Sequence, residues 1–246
     1  MKMAVLSDIH GNRFALEEIL KSIKDREIKK MVNLGDSLYG PLDPAGTADI
    51  LMKLSIPTIC GNEDRLILKS HSSIKGSPSY DFVRNKLKKV HIEWLKALPS
   101  FTAVDCLFYL CHGTPARDDE YLLEEVGEGG VSMRSEKDVS ALVAEIELPV
   151  ILCGHSHRPG HKQIQNGPLV INPGSVGLPA YTDEHPFPHK METGSPHARY
   201  AIVEKKNSRW HIEDISVVYD WDSASKTAKK NGRSDWAYWL RTGHAK

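Results

Sequence analysis

Met3-Ala4-Val5-Leu6-Ser7-Asp8-Ile9-His10-Gly11-Asn12-Arg13 runs from a short apolar segment of strand length into two side chains able to hold a metal ion, Asp8 and His10. Read by itself, the pair is equally a turn-capping aspartate and a surface histidine. The deciding question is whether the pattern recurs, and it does so at four more places. Lys30–Leu34 leads to Gly35-Asp36, Ile56–Cys60 to Gly61-Asn62-Glu63-Asp64, Leu107–Cys111 to His112-Gly113, and Pro149–Cys153 to Gly154-His155-Ser156-His157.

The segments between these runs have helical periodicity. Arg13–Lys24 places Phe14, Leu16, Ile19, Leu20 and Ile23 on one stripe, Thr47–Leu54 and Glu136–Ile146 read as further helices, and Leu66–Leu98 is charged and helical with a break at Gly76-Ser77-Pro78. Phe101–Val104 is expected to pair with Leu107–Cys111 across Asp105-Cys106, and glycine and charge mark Arg117–Arg134 as a mobile insertion beside the site. Beyond His157 the pattern turns antiparallel. Gln163–Ile171 forms a hairpin about Asn166-Gly167, Pro179–Pro196 is a proline- and histidine-rich loop, and Tyr200–Glu204 and Trp210–Tyr219 alternate as strands. Ala224–Lys230 and Trp236–Arg241 finish the chain as short helices, the tryptophans reading as core packing rather than a stacking platform. βαβ units followed by hairpins, with no linker, predict an α/β (α+β) fold. Two mixed sheets would pack as a sandwich with helices outside, in a single domain over residues 1–246.

With 246 residues and 40% apolar content the chain can bury a substantial core, and 32 basic residues balance 32 acidic ones. Nothing in that balance favours a nucleic-acid or membrane surface. No apolar stretch is long enough to span a bilayer, and the first one is too short for a signal peptide, so a cytoplasmic location is expected. Cys60, Cys106, Cys111 and Cys153 lack CxxC spacing and read as reduced thiols.

In open α/β sheets ligands bind beyond the carboxyl ends of strands, so five such ends can converge on one crevice. They would bring together Asp8, His10, Asp36, Asn62, His112, His155 and His157. Seven donors are too many for one ion and suit two that share a carboxylate. Imidazole, carboxylate and amide oxygen without thiolate favour Mn, Fe, Ni, Co or Zn. Two such cations about 4 Å apart clamp a phosphate and lower the pKa of a bridging water, which makes phosphoryl hydrolysis the natural reaction class.

The blocks SDIH, GDS, GNED, CHG and GHSH, in that order between Asp8 and His157, resemble the motifs of the calcineurin-like metallophosphoesterases. The downstream NPGSVG, Asn172–Gly177, is similar to the small bacterial and archaeal phosphodiesterase branch of that family. The resemblance implies a four-layer α/β/β/α sandwich. It assigns Asp8, His10, Asp36 and His157 to one divalent ion and Asp36, Asn62, His112 and His155 to a second, with a hydroxide bridging them for in-line attack on phosphorus. Asn62, His112 and Glu63 are its catalytic candidates. Where phosphomonoesterase and protein-phosphatase members carry a leaving-group histidine after the motif Asn, this chain has Glu63. A glutamate with a raised pKa could act as general acid there, and the departure favours a phosphodiesterase over a phosphomonoesterase or a dinucleoside polyphosphate hydrolase. A non-catalytic scaffold of the same fold would have lost ligands, and none is missing.

Around this core, Asp64 reads either as the acceptor that orients a ligand imidazole or as a helix N-terminal charge. Asn12 and Arg13 are candidates for substrate phosphate, against a helix N-cap and an exposed helix-start arginine. Of the remaining histidines, read mostly as surface or loop residues, His185 and His189 are the two expected near the site mouth.

Overall fold

The computed structural model describes residues 1–69 and 78–246, so His71 and the Gly76-Ser77 break lie outside the described residues. The elements run β1 (Lys2–Leu6), α1 (Arg13–Asp25), β2 (Lys30–Asn33), α2 (Pro44–Leu54), α3 (Asn62–Leu68), α4 (Pro78–Lys86), α5 (Lys89–Ala97), β3 (Phe101–Val104) and β4 (Phe108–Cys111). They continue through β5 (Glu124–Gly127), β6 (Gly130–Met133), α6 (Glu136–Leu142), β7 (Val150–Leu152), β8 (Pro159–Gln163) and β9 (Leu169–Pro173). The last are β10 (Ala180–Asp183), β11 (His189–Glu192), β12 (Ala198–Lys206), β13 (Arg209–Val217), α7 (Trp221–Lys230) and α8 (Ser234–Thr242).

Two mixed sheets carry the architecture, in strand orders β13-β12-β1-β2 and β3-β4-β7-β9-β8. β1 runs parallel to β2 and antiparallel to β12, while β7 is parallel to both β4 and β9. The period-two alternation of β1 sorts its side chains between two layers. Met3 and Val5 meet Phe108, Leu110, Val150, Leu152 and Ile171 between the sheets, whereas Ala4 and Leu6 face Leu16 and Ile19 of α1 and Leu240 of α8. On the far side, Cys111, Ile151, Cys153 and Val170 pack against Val139 of α6 and against Leu122 and Leu123. Helices therefore cover both outer faces, which gives the α/β/β/α order expected.

Some elements differ from expectation for identifiable reasons. Ile56–Cys60 makes only a single parallel bridge, Thr58 to Asn33, because Pro57 has no N–H to donate and offers only its carbonyl, to Asn33 N at 2.9 Å. Arg117–Arg134 is largely built structure: Tyr121, Leu122, Leu123 and Glu124 are buried and the rest forms the β5–β6 hairpin. The stretch Pro179–Pro196 likewise contains the β10–β11 hairpin, whose proline- and histidine-rich turn hid its strands. His91 is fully buried, with Nε2 at 3.0 Å from Asp49 Oδ1. Among the described residues no helix is long and apolar enough to cross a membrane.

Candidate metal centre

The C-terminal ends of β1, β2, β4 and β7, together with the start of α3, meet at one end of the sandwich. Backbone bonds stitch these ends together: Asp8 N donates to Gly35 O (3.0 Å), His10 N to Asp36 O (2.9 Å), and Gly154 N to His112 O (2.7 Å). Asn172–Gly177 acts as a clamp on both ligand loops. Val176 N and Gly177 N donate to Ser7 O and Asp8 O, Ser175 Oγ donates to Asp8 O at 2.7 Å, and Asn172 Nδ2 donates to Gly154 O at 2.8 Å. Gly177 is required by close approach, because a Cβ there would stand 1.8 Å from the Ile9 carbonyl oxygen.

Five of the seven expected ligands, Asp8, His10, Asp36, His155 and His157, have left-handed backbone with φ between +49° and +69°. Asp and His tolerate this region better than most residues, but each instance costs free energy and persists because surrounding bonds impose it. The effect is to turn consecutive ligand side chains toward one point.

Those side chains form two groups. Asp8, His10 and His157 are one, and Asp36, His112 and His155 the other, with donor atoms within 4.8 Å of one another in each. Asp8 Oδ1 lies 3.3 Å from His157 Nε2 and 3.8 Å from His112 Nε2, and Asp36 Oδ2 lies 3.2 Å from His112 Nε2. Asn62, first residue of α3, has its Oδ1 buried without a hydrogen-bond partner, as do Asp8 Oδ1 and His112 Nε2. Asp36 Oδ1 accepts from Glu63 N at 2.8 Å, which ties this carboxylate to the start of α3. Gly61 permits that approach, since a Cβ there would sit 2.2 Å from Asp36 Oδ1.

The imidazoles test whether this cluster suits cations. Nδ1 donates to a backbone carbonyl in three of them: His10 to Tyr39 O (3.0 Å), His112 to Leu34 O (2.7 Å) and His157 to Leu178 O (2.8 Å). That bond presents each Nε2 inward as a donor atom for a metal, as the far ring nitrogen of metal-binding histidines is usually held by a carbonyl or carboxylate. His10 Nε2 and His157 Nε2 face each other at 3.0 Å, a separation that requires a proton or a cation between them. The residues present fit divalent cations.

Electrostatics agree. Burial opposes ionisation of Asp8, yet His157, His112 and His10 hold its carboxyl well below the ordinary range. Burial also disfavours a proton on His112, but Asp36 and Asp8 outweigh it and push the imidazole up to about 10; Glu63, Asp36 and Asp8 likewise push His10 up to about 9. His155 falls to about 4 through burial and the charge on His112. Without metal, protons on imidazole neutralise the buried carboxylates. Loading the metal-free protein with Mn²⁺ at pH 7 should therefore release protons, giving calorimetric heats that depend on the buffer's ionisation enthalpy and an affinity that rises with pH toward 9 to 10. Buffer-independent heats would contradict it.

A profile of the calcineurin-like phosphoesterase superfamily domain matches residues 1–194. The chain belongs to the calcineurin-like phosphoesterase superfamily. It is also 26% identical to an uncharacterized protein of Methanocaldococcus jannaschii, across 95% of this chain and 94% of that one. Among solved structures, a metallophosphoesterase from Sphaerobacter thermophilus superposes with a TM-score of 0.77 at 22% identity, covering 99% of each chain. A putative diadenosine tetraphosphatase does so at 0.55 and 18% identity, over 88% of this chain and 94% of that one.

The cleft over this phosphoesterase centre is about 230 Å³, and its walls include His10, Asp36, Asn62, Glu63, His155 and His157. Glu63 Oε2 is buried 3.1 Å from His10 Nδ1 with no hydrogen bond directed at it, and burial raises its pKa against the pull of His10. Asn12 and Arg13 do not line the cleft. Asn12 is fully buried, capping α1 by accepting from Ala15 N and donating to Gly177 O and Tyr219 Oη, while exposed Arg13 pairs with Glu17 and Asp43. Asn12→Ala should therefore cost about 2–4 kcal/mol in urea unfolding, from the lost cap and two stranded partners, with KM within twofold of wild type. A tenfold rise in KM at unchanged stability would place it at the substrate instead.

Asp64 orients no ligand imidazole. Its carboxylate accepts from Ser37 N, Leu38 N and Gly61 N, tying the loop after Asp36 to α3, and burial followed by the Asp36 charge raises its pKa to about 7. His185 is exposed; buried His189 reaches the site through Tyr121, whose ring stacks 4.7 Å from His155. Tyr39, Tyr181, Asp183, Arg233, Trp236 and Trp239 also line the cleft. Sequence reasoning missed them as site residues because they follow no strand-end ligand pattern. The tryptophans, 3% and 6% exposed, do pack in the core as expected, and show an edge to the cleft as well.

Proposed function

We propose that this chain is a dinuclear, metal-dependent phosphodiesterase and that its 246 residues act as one domain. The carrying observation is the convergence of His10, His112 and His157, each with Nδ1 engaged by a backbone carbonyl and Nε2 turned toward Asp8 and Asp36. Asp8, His10, Asp36 and His157 would hold one ion, and Asp36, Asn62, His112 and His155 the other. Bound there, two divalent cations of the Mn, Fe, Ni, Co or Zn type supply Lewis acidity toward a phosphoryl oxygen and toward an attacking water.

The chain's own groups do the rest. The positive-φ loops fix the ligands in advance, so that little reorganisation accompanies substrate binding. Glu63, with its raised pKa, keeps a proton to higher pH than an ordinary glutamate and is placed on the cleft wall to deliver it to a leaving oxygen. Asp183 in that wall disfavours the extra negative charge of a monoester dianion, which supports diesters as the substrate class. β12, β13, α7 and α8, beyond the profile's end at 194, complete the first sheet and the cleft, which supports reading the chain as one unit. The cysteines pair in no disulfide, in keeping with a cytoplasmic setting.

The test is a metal-reconstituted comparison of bis(p-nitrophenyl) phosphate with p-nitrophenyl phosphate. The diester is expected to show the higher kcat/KM by at least tenfold. A monoester preference would overturn the diester reading, and failure on every phosphate ester class after confirmed metal loading would overturn the enzymatic one.

A further inference from the structure

Among the described residues lining the cleft, Arg233 is the one lysine or arginine side chain. It sits at the N-terminus of α8, in the helical pair that follows the part of the chain matched by the family profile. Its guanidinium lies 5.5 Å from the centre of the Trp236 ring, and that ring meets His10 edge-on at 5.8 Å. Two short steps thus lead from a metal ligand to a fixed positive charge.

The arginine is held ready for a ligand. Nε and Nη2 donate to the Asp235 carboxylate at 2.9 and 2.6 Å, and Nη1 donates to Ser79 Oγ. Of the five N–H groups of a guanidinium, two then remain without an acceptor among the described residues, one on each terminal nitrogen, and the side chain retains 23% exposure. The helical pair is itself tied to the cleft rim. Asn231 Nδ2 donates to Pro41 O at 2.7 Å, Gly194 N donates to Gly243 O at 3.0 Å, and Ala245 N donates to Glu192 Oε1 at 2.6 Å. An arginine whose fork is pre-oriented by a carboxylate and whose face is stacked on indole loses little entropy on meeting a phosphoryl group.

We propose that Arg233 is a specificity-determining anion subsite, and that the preferred substrate carries a second phosphoryl group on the arm away from the bond that is cut. This inference rests on the phosphoesterase reading of the adjacent centre. Asp183 keeps surplus negative charge away from its part of the cleft, so the position that accepts it is confined to the Arg233 side. The second group would accept the two remaining guanidinium N–H groups while the scissile phosphate occupies the ligand cluster.

Equilibrium binding separates this subsite from turnover. With free Mn²⁺ held constant and saturating, calorimetric titration would compare methylenebisphosphonate, which has two phosphoryl groups and no hydrolysable bridge, with orthophosphate. Wild type should bind the bisphosphonate at least tenfold more tightly. Arg233→Gln should abolish that advantage while leaving orthophosphate within twofold, and Arg233→Lys should restore part of it. Asp235→Asn breaks the same ion pair but keeps the cation and an amide oxygen to orient it, so it should retain most of the bisphosphonate advantage, losing clearly less than Arg233→Gln, with orthophosphate within twofold. An Asp235→Asn loss equal to that of Arg233→Gln would make Arg233 a helix staple and overturn the proposal. So would an advantage that survives Arg233→Gln, or no advantage in wild type. Should the ester screen fail while the bisphosphonate preference and its dependence on Arg233 hold, the phosphodiesterase reading falls and the anion subsite stands.

Discussion

Asp36→Asn is expected to lower kcat on bis(p-nitrophenyl) phosphate beyond the roughly 10–100-fold typical of losing a residue that only hydrogen-bonds to a ligand, because Asp36 is proposed to ligate both ions. Its Oδ2 faces His112 at 3.2 Å, and it also joins His10 and Glu63 in a third cluster of potential ligands. Removing its charge weakens both sites together, so elemental analysis should find fewer ions per chain than in wild type. The fold should survive, since an asparagine oxygen can still accept from Glu63 N, now 2.8 Å from Asp36 Oδ1, and the start of α3 stays capped. Full activity in the variant at wild-type metal content would remove Asp36 from the mechanism.

Chelation should abolish hydrolysis and leave a folded but less stable protein. A ligand present at 100 times its Kd stabilises the native state by about 2.7 kcal/mol, which for a chain of this size corresponds to roughly 5–10 °C in Tm on returning Mn²⁺. The difference should widen with pH. In the metal-free protein His10 and His112 are raised from 6.5 to about 9 and 10, so their contribution to stability is complete below pH 6.5 and is lost as pH climbs through 9 to 10. Cations in place of those protons make the loaded protein insensitive to this loss. A Tm difference that is absent, or that narrows between pH 7 and pH 9.5, would contradict the assignment.

The ligand set was legible because each member follows an apolar run: Leu6 before Asp8, Leu34 before Asp36, Cys111 before His112, Cys153 before His155. Strand ends in a parallel core are forced to one edge of the sheet, so linear order carries spatial information there. The left-handed backbone at Asp8, His10, Asp36, His155 and His157 left no mark, because Asp and His occur there without glycine to announce the turn. For Asn12 and Asp64 the sequence leaves a site role open beside a helix-terminal one, and the choice is decided by partners that only the folded loops bring close: Gly177 O and Tyr219 Oη for Asn12, Ser37 N for Asp64. Arg233 was invisible for the opposite reason. Nothing in Gly232-Arg233-Ser234 distinguishes a helix-start arginine from a solvated one until the α7–α8 pair docks beside the ligands.

The place of β12 in the first sheet bears on the order in which this centre can come into being. β1, which leads into Asp8, has β2 on one side and β12 on the other, and Ala4 is paired with Ile202 across nearly two hundred residues of intervening chain. During synthesis the amino-terminal ligands emerge first, yet the strand leading into them keeps an open edge until the polypeptide has grown past Lys206. A pairing so distant along the chain is slow to form, so the nascent molecule passes through a long interval in which its first ligands exist without their frame. On the metal-dependent reading, capture of the ions then follows closure of the sheet rather than the emergence of its first ligands.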